Sequence, residues 1–100
     1  MLTDEIKNGE SSVLEFKREL PTDGKKYLKT IVAFANGKGG RIIFGVDDKT
    51  LEIVGVDKDK VFLFMDAIAN AVSDVCEPMI VPDIKMQTID DNLVIVVEVH

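Results

Sequence analysis

Residues 33–48 have the sequence AFANGKGGRIIFGVDD, and this stretch decides the fold. Its apolar start ends a helix, because the glycine-rich residues 36–40 that follow are poor helix formers. Residues 41–46 then predict a strand that is apolar on both faces and therefore lies at the centre of a sheet. Asp47 and Asp48 close the strand, and adjacent aspartates of this kind are typical of a turn.

Upstream of this stretch, the sequence predicts a short helix, a short strand and a longer helix. Residues 3–8 have helix-capping residue types at both ends, and residues 13–17 alternate in polarity as a strand does. Residues 24–36 carry apolar side chains at helical spacing, so one side of this helix is expected to pack on a core. The lysines of this helix lie off the apolar stripe: Lys25, Lys26 and Lys29.

Downstream, residues 51–56 resume an extended pattern, which predicts a hairpin with the strand at 41–46. A second apolar stripe at helical spacing predicts a helix over about 58–75. Two further strands, 84–89 and 93–99, are separated by a polar tight turn. After the short first helix the order is β-α-β-β-α-β-β, an α+β domain in which two main helices pack on a mixed sheet.

The length of 100 residues predicts one domain, and the apolar content of 46% is that of a globular protein. Because the last predicted strand runs to the end of the sequence, we expect residues 1–100 to be an N-terminal fragment of a longer protein. The sequence has no signal peptide and no apolar run near the length of a membrane span. We therefore expect a cytoplasmic protein with no membrane partner. A lone cysteine, Cys76, excludes an intrachain disulfide.

The net charge of −6 argues, taken alone, against a nucleic-acid partner. The charge is uneven, however: residues 1–50 hold 9 basic and 8 acidic residues, whereas residues 51–100 hold 3 and 10. Any surface that faces an anion therefore belongs to the N-terminal half. The alternative is that both halves simply have solvated charged faces.

The loop 36–41 joins glycines to two cations, Lys38 and Arg41, and exposed backbone amides beside cations can bind phosphate. The loop is not a Walker A motif, because the pattern GxxxxGK[ST] is absent, so no ATPase activity is expected. The preceding helix also directs the negative end of its dipole at the loop. The alternative is a helix stop followed by a strand start, without a ligand.

Four carboxylates near the predicted strand ends suggest a Mg²⁺ site, because Mg²⁺ takes carboxylate oxygens, water and phosphate oxygens. They are Glu10, Glu15, Asp47 and Asp48. The two glutamates converge if the first lies in a loop and the second on the following strand. The alternative is that all four are surface carboxylates, two of which belong to a turn. The single histidine, His100, lies at the end of the sequence and argues against a Ser-His or Cys-His pair.

Several blocks of the sequence, in the same order, resemble the Schlafen/AlbA-like domain family, whose members are described as DNA-binding domains and sometimes as a divergent AAA family. The matching residues are Glu10-Ser11, Leu14-Glu15-Phe16-Lys17, Ala33-Phe34-Ala35-Asn36 with Gly39-Gly40, Ile43-Phe44-Gly45-Val46-Asp47-Asp48 and Ile53-Val54-Gly55-Val56. The resemblance covers nearly the whole chain. It implies the N-terminal domain of a longer prokaryotic protein similar to transcriptional regulators.

Animal members of that family include endoribonucleases that cut tRNA and rRNA with the help of three metal-binding acids. Carried over by motif, the resemblance implies that Glu10, Glu15 and Asp48 are catalytic and bind Mg²⁺ or Mn²⁺. Those nucleases use a duplicated arrangement of the fold, which implies that a single copy acts as a homodimer.

Three functional hypotheses follow. The first is a nucleic-acid-binding module of a transcriptional regulator, with DNA or RNA as partner. Its phosphate contacts would come from Lys17, Arg18, Lys25, Lys26, Lys29, Lys38 and Arg41. The second is a metal-dependent endoribonuclease. The third is a homodimerisation domain without a ligand, because an exposed apolar strand at 93–99 would have to be covered.

Overall fold

The structure, a computed structural model, describes residues 2–20, 24–75 and 80–100. Its elements are α1 (Leu2–Lys7), β1 (Leu14–Lys17), α2 (Lys25–Asn36), β2 (Gly40–Phe44), α3 (Val61–Val75), β3 (Asp83–Ile89) and β4 (Asn92–Val99). Helices interleave with strands of one sheet, so the predicted α+β class is confirmed. Cys76 lies outside the described residues.

The four strands form one mixed sheet in the order β1-β2-β4-β3. The pair β1–β2 is parallel, and β4 runs antiparallel to both β2 and β3. The central position predicted for the strand at 41–46 is confirmed, because β2 has a neighbour on each side. Ile42, Ile43 and Phe44 are each fully buried, which explains the need for apolar side chains on both faces.

One face of the sheet is covered by α2 and α3. Ile31 of α2 and Ile68 of α3 are both fully buried in a core that also contains Ile42 and Phe44 of β2. The ring of Tyr27 packs edge-on against that of Phe44, with centroids 5.7 Å apart. Such aromatic pairs stabilise a core beyond their buried area. The two main helices therefore share one face of the sheet.

The opposite face is covered by α1 and by the segment after β2. Ile6 of α1 is buried with Phe16, Ile43 and Val46 in a second, smaller core. No helix among the described residues is both long enough and apolar enough to cross a membrane.

Alternation along the strands assigns the charged side chains to these two faces. We call the sheet face covered by α1 the α1 face and the face covered by α2 and α3 the α2 face. Phe16 belongs to the α1 face, so Glu15 and Lys17 on either side of it belong to the α2 face. Ile42 belongs to the α2 face, so Arg41 belongs to the α1 face. A salt bridge between Arg41 and Glu5 of α1 agrees with this assignment.

The predicted strand at 51–56 is wrong, because this segment forms only one isolated bridge, between Val46 and Ile53. Both sides of β2 are already occupied by β1 and β4, so no strand can pair there a third time. The segment instead loops back over the α1 face, where Gly45 turns the chain with a φ of +108°. The backbone N–H groups of Val54 and Gly55 both donate to the Gly45 carbonyl, at 2.9 Å.

The predicted exposure of the apolar strand at 93–99 is also wrong. In the structure β4 lies between β2 and β3, and Val94, Ile95 and Val97 are buried. The strand is covered by its own chain, so it gives no reason for a homodimer.

The predicted tight turn joins β3 to β4. Asp90 and Asp91 have φ values of 49° and 66°. Positive φ at both central residues is the type I′ geometry, which fits the twist of a two-residue hairpin. The turn therefore fixes the register in which β3 pairs with β4.

Candidate functional site

A surface pocket of about 280 Å³ lies between the edge strand β1 and helix α2. Its lining residues are Glu10, Ser11, Ser12, Leu14, Glu15, Thr30, Ala33 and Phe34. Two of the three acids that the family resemblance singled out, Glu10 and Glu15, thus share one pocket. The third, Asp48, does not line it.

The side chain of Glu10 is held by a hydrogen bond to the unpaired edge of β1, the first strand of the sheet. The carbonyls of Val13 and Lys17 accept the N–H groups of Arg41 in β2 and of Gly45 just after it, so the N–H of Phe16 points away from the sheet. A carboxylate oxygen of Glu10, Oε2, accepts this N–H at 2.8 Å. A backbone donor that β1 cannot satisfy within the sheet is thereby satisfied by the side chain of Glu10.

Glu15 is held between the strand and the helix. Its Oε2 accepts a hydrogen bond from the Thr30 hydroxyl at 3.0 Å and lies 3.6 Å from the Lys17 ammonium. About a third of the Glu15 side chain is exposed, at 31%. This carboxylate is positioned by both neighbours and still reaches solvent.

The turn after β2 is organised by Asp47 rather than Asp48. Asp47 accepts the N–H groups of Thr50 and Lys49, at 2.9 and 2.8 Å, and a hydrogen bond from Arg18 at 2.9 Å. These contacts, the Thr50 N–H foremost, lower the pKa of Asp47 to about 2. Asp48 is exposed beside it. Of the adjacent aspartates Asp47 and Asp48, it is therefore Asp47 whose side chain makes the hydrogen bonds that stabilise the turn.

The predicted cations do not form one surface. Lys17, Lys26 and Lys29 belong to the α2 side, and Lys38 is exposed in the loop after α2. By contrast, Arg41 is on the α1 face. Three of the cations are engaged with acids: Lys17 with Glu15, Arg18 with Asp47 and Arg41 with Glu5. Lys25 begins α2, but its side chain lies outside what the structure describes.

Charge is segregated between the two main helices. The sequence of α2 contains three lysines and no acid, whereas that of α3 contains two aspartates, Asp66 and Asp74, and no base. Helix α2 packs mainly on β2 and β4, and α3 packs mainly on β3. One side of the helical layer is therefore basic and the other acidic.

A cluster of metal-ligating side chains that the sequence analysis missed lies at the far end of the β3–β4 hairpin. Asp83 and Glu98 are directly opposite in the strand register, and His100 follows two residues after Glu98. The Nε2 atom of His100 lies 2.8 Å from a carboxylate oxygen of Asp83. This hydrogen bond raises the pKa of His100 and lowers that of Asp83.

Within the described residues, this cluster is the one set of three or more His, Cys, Asp or Glu side chains whose ligand atoms all lie within 4.8 Å of one another. Glu10, Glu15 and Asp48 do not form such a set. The hairpin turn was the available sequence signal for the cluster, because a two-residue loop at 90–91 places residue 83 opposite residue 98.

A second pocket, of about 270 Å³, adjoins this cluster. Its lining residues are Val13, Lys38, Gly39, Gly40, Arg41, Glu98, Val99 and His100. The glycine-rich loop predicted as a phosphate site thus faces a pocket of mixed charge.

Comparison with known proteins agrees with this fold. The solution structure of the N-terminal domain of a protein described as related to the ATP-dependent DNA helicase RecG, from Nitrosomonas europaea, has a TM-score of 0.73 and 23% identity, covering 98% of this chain and 69% of that one. A crystal structure of a protein from Corynebacterium diphtheriae has a TM-score of 0.64 and 18% identity, covering 98% of this chain and 24% of that one. Residues 10–100 match the model of the family described as Schlafen, AlbA_2. Because that match spans most of the sequence, the chain belongs to the Schlafen, AlbA_2 family.

Proposed function

We propose that this domain binds nucleic acid through the phosphate backbone, as the binding module of a prokaryotic transcriptional regulator. The observation that carries the proposal is the charge segregation between the lysine-bearing α2 and the acidic α3. Family membership supports it, as does the likeness in fold to a domain of a protein described as related to a DNA helicase.

The proposed contact surface, which we call the α2 surface, consists of Lys17, Lys26, Lys29 and Lys38. Lys26 and Lys29 are exposed on α2, and Lys38 is exposed just beyond its C-terminus. A helix of this length extends about 18 Å, roughly the rise of five base-pair steps along the axis of a DNA duplex. Lysine contacts with phosphate give affinity and little sequence preference, so the surface suits either DNA or RNA.

The experiment compares two triple variants that remove equal charge. Lys26→Ala, Lys29→Ala and Lys38→Ala together remove the three exposed lysines of the α2 surface. The control replaces three exposed lysines on the acidic part of the chain: Lys58, Lys60 and Lys85. Binding of short labelled DNA and RNA oligonucleotides is followed by fluorescence anisotropy over a range of salt concentrations.

For the α2-surface variant we expect weaker binding and a slope of log affinity against log salt that is shallower by about 2 to 3, since each lost phosphate contact removes about 0.7 to 0.9. The control should keep the wild-type slope. Equal losses in the two variants would reject the assigned surface, and absence of binding by the wild-type protein at low salt would reject the function.

A second candidate is a metal-dependent endoribonuclease, favoured by the shared pocket of Glu10 and Glu15. Carboxylate oxygens suit Mg²⁺ or Mn²⁺, and each glutamate has one oxygen, Oε1, without a partner among the contacts described above. Asp48 does not complete a set with them, so the third ligand would come from a rearranged turn or from a second copy. In the second case the nuclease would be a homodimer, and in both cases the candidate is tested by RNA cleavage with either metal.

A further inference from the structure

We propose that Asp83, Glu98 and His100 form a binding site for one divalent transition-metal ion, of which Zn²⁺ is the representative. None of these three residues belongs to the α2 surface or to the Glu10–Glu15 pocket, although Lys38 of the α2 surface lines the pocket beside them. It joins two carboxylates and one imidazole at the end of the β3–β4 hairpin.

The distances between the three side chains suit a single ion. Zn²⁺ holds nitrogen and oxygen ligands at about 2.0 to 2.2 Å in a tetrahedral arrangement, so two of its ligands lie about 3.4 Å apart. The ligand atoms here all lie within 4.8 Å of one another. Side-chain rotations that shorten the longer of these distances would bring all three onto one ion, which would then replace the hydrogen bond between His100 and Asp83.

The backbone that carries the ligands is already arranged by the sheet. Asp83 and Glu98 are paired across β3 and β4, and alternation places Asp83, Glu98 and His100 on the α1 face. Two like charges directly opposite on neighbouring strands are destabilising, and a bound cation relieves that repulsion.

Within the described part of the chain, no lysine or arginine forms a salt bridge with Glu98. Arg41 is opposite Glu98 on the other side, across β2 and β4, and lies on the same face. Its guanidinium is engaged with Glu5 of α1 instead. Glu98 is half-buried and lines the adjoining pocket, so its carboxylate is left to face the other two ligands.

The ligand types set the class of ion. An imidazole nitrogen favours Zn²⁺, Co²⁺ or Ni²⁺, whereas Mg²⁺ prefers an all-oxygen set. Three protein ligands leave at least one position of the ion open, as in exchangeable or catalytic sites rather than closed structural ones. Two of the ligands, Glu98 and His100, line the adjoining pocket together with Lys38 and Arg41, and an anionic group or a water molecule bound there could complete the coordination.

The test is titration of the tag-free chain with ZnCl₂ by isothermal calorimetry and by NMR of the imidazole. His100 is the only histidine of the chain, so its ring signals report this site alone. We expect one Zn²⁺ per chain, with the His100 signals shifting in proportion to occupancy, and no comparable shift with MgCl₂.

Asp83→Asn, Glu98→Gln and His100→Gln are each expected to lower Zn²⁺ affinity by about tenfold or more, because losing even an indirect support of a metal ligand costs about 10- to 100-fold. Two controls should bind Zn²⁺ as the wild type does: Cys76→Ser, which removes the only thiol, and the double variant Glu10→Gln with Glu15→Gln. Unshifted His100 signals, or wild-type affinity in the three ligand variants, would overturn the proposal. Because neither readout involves nucleic acid, the result is independent of the function proposed above.

Discussion

The carboxylate of Glu10 accepts the backbone N–H of Phe16, six residues further along the chain, at 2.8 Å. The contact closes the open edge of β1 and holds Glu10 at the mouth of the pocket it shares with Glu15. One hydrogen bond therefore links the stability of the edge strand to the geometry of the candidate site.

We predict that Glu10→Ala lowers the free energy of unfolding by about 1 kcal/mol, since a hydrogen bond to a charged group is lost while water reaches the freed N–H. Glu10→Gln keeps an acceptor oxygen and should lose less. Urea denaturation measures both, with Glu19→Ala as a control that removes an exposed acid of the same charge. A loss as large in the control would contradict this role for Glu10.

Two glycines with nearly equal backbone angles should respond differently to alanine. Gly9 has a φ of +85° and open space around it, whereas Gly39 has a φ of +82° and a Cβ there would lie 2.4 Å from the Val99 carbonyl oxygen. Gly9→Ala is therefore expected to cost about 1 kcal/mol from strain alone. Gly39→Ala should cost clearly more, because it adds a clash with backbone. Equal melting temperatures for the two variants would contradict the close approach of the glycine loop to β4.

The turn after β2 should give a pH-dependent contribution to stability. Folding lowers the pKa of Asp47 from its ordinary 3.8 to about 2, so the ionised form favours the native state. The stabilisation is fully present above about pH 4 and is lost as the pH falls towards 2. Denaturation of the wild type and Asp47→Asn over this range should show a stability difference that shrinks as the pH falls. The control Asp48→Asn should keep the wild-type dependence.

The two candidate functions can be separated with Glu15. Glu15→Gln should abolish any RNA cleavage that depends on Mg²⁺ or Mn²⁺, because it removes a carboxylate of the shared pocket. It should leave oligonucleotide binding unchanged or slightly stronger, since a negative charge beside Lys17 is lost. Glu52→Gln, an exposed acid elsewhere, is the control for cleavage. Wild-type cleavage by the Glu15 variant, or no cleavage by the intact wild-type protein, would reject the nuclease candidate.

The spacing of apolar residues along the sequence was sufficient to predict the central strand β2 and the helix α2. The apolar run at 42–44 required burial on both faces, and the lysine-free stripe of α2 required one packed side. Residues 51–56 show the limit of such reasoning. Their alternation is satisfied by packing Leu51 and Ile53 against the smaller core, and the sequence alone does not reveal that β4 takes the neighbouring place on β2.

The candidate site, like the fold, could be predicted only where neighbouring residues decide it. Glu10 and Glu15 line one pocket because the chain turns between them, where Ser11 bridges to Leu14, and this was expected of a loop followed by a strand. The faces on which the cations lie depend on strand parity, which a shift of one residue reverses. The pairing of Asp83 with Glu98 depended on the length of the hairpin turn, because that length fixes the register of every residue pair between β3 and β4.

The opposite signs of α2 and α3 give the helical layer an electric dipole that lies across the strands. In the electric field of a polyanion, a domain with such a dipole turns its basic side towards the polyanion before the two make contact. Productive encounters are then more frequent than random collision would give. Ionic strength would then act first on how fast complexes form, and only afterwards on how long they last.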